Sequence, residues 1–280
     1  MKQLLLTVPA AIVLSGCIIV GLDGDAYAQS GRSVVGGDLT LTLDETGDFR
    51  LTGEDVEASG RVGGTLRVSG ADFRGRDLEL GALAANLADL RFDGEVETDV
   101  EVNAADIRWR RPVGGDVSLN AADIDWEGDV DGAFRANMSD GSLSGRFAEV
   151  RLNAADLEIE RDGAIDGSLY LNASELDLRG QAGALDAALR AARIAGSVEG
   201  EVAIYADPGR APHDRDDGLV EITGAIGGGE ICARRVVIEG PVSGSLAITA
   251  DDEPALSGDA AGADITYTPR DGRRCERPNR

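Results

Sequence analysis

Two ten-residue stretches, "VEVNAADIRW" (100–109) and "VSLNAADIDW" (117–126), repeat one another seventeen residues apart. A short fixed period constrains a fold more than any composition does. One such copy cannot bury an apolar face by itself, so successive copies must lie against one another. Cutting the chain at the same period gives further copies, among them "FRLTGEDVEASGRVGGT" (49–65), "LRVSGADFRGRDLELGA" (66–82) and "LAANLADLRFDGEVETD" (83–99). "FRANMSDGSLSGRFAE" (134–149) is one residue short, "VRLNAADLEIERDGAIDGS" (150–168) and "LYLNASELDLRGQAGALDA" (169–187) are longer, and weaker copies run on to Thr249.

Each copy alternates. Positions one and three are apolar, as in Val100 and Val102 or Val117 and Leu119; positions eight and ten are apolar again, as in Ile107 and Trp109 or Ile124 and Trp126; a third apolar residue such as Val113 or Val130 follows near position fourteen. Period-two alternation marks a strand with one buried face. Three short strands per copy, parted by "NA" and glycine corners, make one turn of a three-sided coil. The expectation is an all-β fold, a parallel β-solenoid (triangular β-helix) of about 17 residues per turn, in which each turn covers the apolar edge of the next. The narrow interior also explains why aromatic residues are only 4% of the chain. From Ser33 to Tyr267 there is room for roughly thirteen turns, a rod about 60 Å long at ~4.8 Å per strand.

The period turns single residues into columns. Asn103, Asn120, Asn137, Asn153 and Asn172 share one position, which predicts a structural ladder of side-chain amides at a corner, with a row of ligand-binding groups as the rival reading. Asp55, Asp72, Asp89, Asp106, Asp123, Asp140 and Asp156, continued by Glu175, form a second column. Carboxylates ~4.8 Å apart repel by roughly 1 kcal/mol per pair in bulk water. Backbone capping at the bend, the arginines Arg74, Arg91 and Arg108 two residues on, or a row of bound cations would each offset that repulsion. The chain has neither an EF-hand loop nor the glycine-aspartate nonapeptide of calcium-binding solenoids, so no metal site is assigned. Phe92, Trp109 and Trp126 share an inward position and read as a core stack; a register shifted by one would instead turn them into an exposed sugar-binding strip.

With 51 acidic residues against 27 basic ones the formal charge is −24, a field that repels nucleic acid. Lys2 followed by "LLLTVPAAIVL" (4–14) reads as an export signal, too short and too soon followed by Asp23 and Asp25 for a membrane span. "LSGC" (14–17) resembles a bacterial lipobox, which implies lipid on Cys17 after removal of 1–16, whereas "AYAQ" (26–29) offers a rival cleavage site for simple secretion. Both readings place the mature chain outside the cytoplasm. The lipobox reading puts it in a bacterial cell envelope, on the periplasmic side, held to the membrane through lipid, with 17–32 as a tether. The other two cysteines, Cys232 and Cys275, then form an even pair that can bridge in an oxidising compartment and pin the tail (268–280) to the solenoid (33–267); two free thiols are the alternative.

No nucleophile elbow, zinc pair, P-loop or dinucleotide fingerprint is present in the sequence, so neither catalytic residues nor cofactors are assigned. The single histidine, His213, lies in "DPGRAPHDRDDG" (207–218), a polar insertion in the repeat. Asp214, Asp216 and Asp217 of the same insertion are the candidates if the chain acts on a polysaccharide. "NAADL" occurs once per seventeen residues, not every five, which rejects the pentapeptide-repeat fold.

"ARRVVIEGPVSGSLAI" (233–248) and "GSVEGEVAIYA" (196–206) resemble the bactofilins, polymer-forming bacterial β-helix proteins, in the "VVIEG" strand, the "G-x-V-x-G" corner and the turn length. The resemblance implies a right-handed triangular coil without a cofactor, able to assemble end to end through its terminal turns. Bactofilins typically lack an export signal, so it implies the fold and leaves their cytoskeletal role aside. The expectation is a non-enzymatic scaffold or spacer of the cell envelope that self-associates. The alternative is an adhesin-like or glycan-binding module whose partner is an envelope protein or glycan.

Overall fold

The computed structural model describes residues 32–207 and 217–277, and of 13–14, 17–23 and 27–28 the backbone alone. The leader, the Cys17 side chain and His213, Asp214 and Asp216 of the insertion lie outside the described residues.

The chain is an all-β parallel solenoid of about 13 turns and about 17 residues per turn. On the first face, Val100–Asn103 pairs in parallel with Val117–Asn120, and that strand with Phe134–Asn137, residue for residue. This face runs from Ser33–Val35 to Ile265–Pro269. On the second face, Asp106–Trp109 pairs with Asp123–Trp126, in a series that ends at Ala255–Leu256. The third face is narrower than the sequence pattern suggests. In mid-rod it shrinks to single bridges linking Val96, Val113 and Val130, because Pro112, Gly114 and Gly115 bend the backbone on either side of the one inward residue.

Alternation decides what is buried. In Val117–Asn120 and its neighbours the first and third side chains point inward and the second and fourth outward. Phe92 and Trp109 stack with ring centroids 4.3 Å apart, and Trp109 and Trp126 at 4.8 Å with planes only 3° apart. Both tryptophans are fully buried. Their Nε1–H groups donate to the corner carbonyls of Arg111 (2.6 Å) and Gly128 (2.9 Å), so no buried donor is stranded. One turn earlier the column holds Gly75, where a Cβ would come within 2.7 Å of the Phe92 ring. The aromatic stack therefore starts against a residue small enough to receive it.

Changes in turn length are absorbed locally. The ladder steps by 16 residues from Asn137 to Asn153 and by 19 to Asn172, with register shifts between Val130 and Ala133 and between Phe147 and Val150 respectively. The insertion falls between the strands that end at Ala206 and begin at Leu219, and Arg193 still pairs in register with Glu221 on either side of it.

The two ends differ. Backbone of Cys17–Asp23 lies antiparallel along Asp38–Glu45, with Ile18 opposite Thr42 and Leu22 opposite Leu39, covering the edge of the first turns. At the other end, Ala255–Leu256 and Ile265–Pro269 are the last rungs. From there the tail folds back over the first face.

Candidate functional site

Among the described residues no group of three or more His, Cys, Asp or Glu side chains is arranged to hold a metal ion. The candidate sites are therefore the outward columns and the tail that crosses one of them.

The asparagines stack as an amide ladder. Each Nδ2 donates to the Oδ1 of the preceding turn: Asn120 to Asn103 at 2.9 Å, Asn137 to Asn120 and Asn153 to Asn137 at 2.8 Å, Asn172 to Asn153 at 2.9 Å. Asn86 is a further rung, accepting from Asn103 at 3.2 Å. It stands at the ladder position of its own copy and was legible there. The free end of the ladder is capped by Arg277, whose Nη1 donates to Asn172 Oδ1 at 3.2 Å and whose Nη2 donates to the carbonyls of Leu171 and Asp186, both at 2.9 Å. Arg277 Nε lies 2.9 Å from Asp186 Oδ1 as an ion pair. No period could reveal a contact made across 105 residues.

The tail reaches that position because Cys275 meets Cys232 on the ladder column, with the sulfurs 2.08 Å apart. Arg270, only 8% exposed, anchors its start by a two-pronged pair with Asp251 at 2.7 and 2.8 Å. Ala203, Tyr205 and Cys275 form a small apolar cluster under the tail.

The aspartate column of the second face stacks in register, Asp89 to Asp106 to Asp123 to Asp140 to Asp156. Beside it, Asp106, Asp123, Asp140, Asp156, Glu175 and Asp177 line an open acidic groove of about 550 Å³. Different aspartates tie turn to turn. Asp48, Asp99, Asp116 and Asp129 each accept the backbone N–H seventeen residues ahead, at Thr65, Asp116, Ala133 and Arg146 respectively, at 2.8–3.0 Å. The N–H of Thr65 and then Arg67 hold the Asp48 carboxyl below the usual aspartate range, and the N–H of Ala133 and then Arg135 do the same for Asp116.

Two residues further along the second face the outward column changes sign. Arg74, Arg91 and Arg108 stack on successive turns, followed by Asp125, Ser142, Glu158 and Asp177. Around Arg179 three carboxylates converge: Glu158 in contact, Asp177 at 2.7 Å and Glu160 at 4.0 Å. Partial burial, then the neighbouring Glu160, pushes the Glu158 carboxyl above its ordinary range against the pull of Arg179.

No family model, curated protein or solved structure matches this chain.

Phe92, Trp109 and Trp126 lie in the core and offer no ring to a sugar. Asp217, the one described residue of the three polysaccharide-site candidates, is only 5% exposed and accepts from Arg190 Nη2 at 2.7 Å, the geometry of a structural pair closing the insertion.

Proposed function

We propose that the chain is a non-enzymatic scaffold or spacer of a bacterial cell envelope, held to a membrane through lipid on Cys17 and able to self-associate through its C-terminal end. The observation that carries this reading is the unbroken stack of turns with unlike ends. Strand 17–23 covers the edge of the first turns, while the last rungs, 255–256 and 265–269, carry no further strand among the described residues. Leu256, 37% exposed on the last rung of the second face, is one of two exposed large apolar side chains among the described residues. An unpaired edge beside such a side chain is a template for another strand. The grooves on the flanks are open, unlike the enclosed, mostly apolar pockets that hold small substrates. The acidic shell suits a soluble spacer that avoids nonspecific contacts.

Light scattering over a concentration series tests the reading. The mature protein is expected to gain mass with concentration, and Leu256→Lys to stay monomeric. A parent protein that remains a monomer throughout contradicts self-association. Intact-mass measurement of the mature chain from a bacterial host tests the anchor: lipid on a chain beginning at Cys17 is expected, and an unmodified chain beginning at Gln29 overturns it.

A further inference from the structure

Arg74, Arg91 and Arg108 stand together on one flank of a strongly acidic molecule. The chain carries 51 acidic residues, yet among the described residues none of these three guanidinium groups has a carboxylate within 4.0 Å, whereas their neighbours Arg76, Arg110 and Arg111 pair with Glu57 (3.4 Å), Glu127 (3.7 Å) and Asp93 (2.7 Å). The three stack in strict register, Arg74 beside Arg91 and Arg91 beside Arg108, so like charges are held ~4.8 Å apart. Together with Arg76 and Arg110 they line a groove of about 480 Å³ whose floor is Gly75 and Phe92. Asp77 and Asp93 also line the groove, but none of the three arginines forms an ion pair among the described residues, which leaves their guanidinium groups open to an anion from outside.

The surroundings specify what kind. Phe92 is buried beneath the groove, so no exposed ring is available to stack a base. Two residues before each arginine stands an aspartate, Asp72, Asp89 or Asp106, on the same outward side of the strand. That parallel row of carboxylates repels any polyanion, but a polymer rich in free hydroxyl groups offsets the repulsion by donating hydrogen bonds to it. A row of forked donors for carboxylate beside a row of acceptors for hydroxyl matches a polymer with one acid and free hydroxyls on every unit. We infer that this groove binds a linear uronic-acid polysaccharide, its carboxylates on Arg74, Arg91 and Arg108 and its hydroxyls on the aspartate row. The inference stands apart from the scaffold reading, since a monomer and an assembly present the same flank.

Titration calorimetry of the full mature chain at roughly 50 mM salt, where exposed charge pairs are least screened, reads this directly. The probes are an alginate hexamer, a neutral dextran oligomer, single-stranded DNA and polyphosphate. The alginate hexamer is expected to bind and the other three to bind at least about tenfold more weakly. Replacing Arg74, Arg91 and Arg108 together by Gln should weaken alginate by about tenfold or more, the sum of three exposed charge pairs. The same variant should melt no lower than the parent, because like-charge crowding is relieved. The triple Lys variant, which keeps charge but loses the fork, should also bind more weakly. Arg193→Gln, in the same column but paired with Glu221 at 3.2 Å, should leave alginate binding unchanged. A parent that does not bind alginate, DNA or polyphosphate bound as tightly as alginate, or a folded triple variant that binds alginate like the parent would each overturn the inference.

Discussion

Asn120 shows what a single side chain contributes when it repeats. Its amide donates to Asn103 and accepts from Asn137, so Asn120→Ala removes two hydrogen bonds and leaves one partner on each side short. At net values of about 0.5–1.5 kcal/mol per bond, discounted for exposure, urea unfolding should show a loss of about 1–2 kcal/mol. A change within error would mean that the ladder follows the fold without supporting it. Glu158 gives the opposite kind of prediction. A carboxyl whose folded pKa is raised contributes stability that is fully present below its unfolded pKa and is lost as pH rises through the folded one. Stability of the parent should therefore increase as pH falls from neutrality towards the ordinary glutamate range, and Glu158→Gln should flatten that rise. Asp48 and Asp116, with lowered pKa values, contribute in the other sense, and their share is lost as pH falls below the ordinary aspartate range. A parent and a Glu158→Gln variant with parallel pH profiles above that range would contradict the burial argument.

Elements of this molecule are legible in the sequence to the degree that they repeat. The alternation of Val117–Asn120 and Asp123–Glu127 states which side chains face inward, and the period states which strand lies beside which. The corner glycines belong to the same pattern: a Cβ on Gly224 would lie 1.6 Å from the Gly196 carbonyl oxygen of the turn below, so the backbones close up only without it. Contacts that occur once are not legible. The Arg277 cap joins residues far apart, and the two aspartate positions that tie turns, at Asp116 and Asp129, lie at corners where alternation carries no signal. The tail is the element most open to test. Its bridge closes 43 residues, a length for which chain entropy gives about 4 kcal/mol. In a stack where each turn touches only its neighbours, losing the bridge should free the tail without melting the rod. Reduction, or Cys275→Ser, should make the bonds after Arg273 and Arg274 far quicker targets for trypsin while the turns from 100 to 180 stay protected. Equal protection of the tail with and without the bridge would show that Arg270 and Arg277 hold it unaided.

At the scale of the whole molecule the account makes the chain a ruler, each turn adding one strand spacing along a single axis. The outward column of the second face supplies the marks, because pairing runs in register from Arg74 through Arg91, Arg108, Asp125 and Ser142 to Arg193 and on to Ala255. The self-association and glycan binding proposed above would both use this geometry, the first at the end of the rod and the second along its flank. Electron–electron distance measurements between spin labels at Arg74 and either Arg193 or Ala255 test it most directly. About seven and about ten turns separate these pairs, so distances near 34 Å and 48 Å are expected at ~4.8 Å per turn. Two distances that do not grow in proportion to the number of turns would contradict the solenoid, and with it every column on which the account is built.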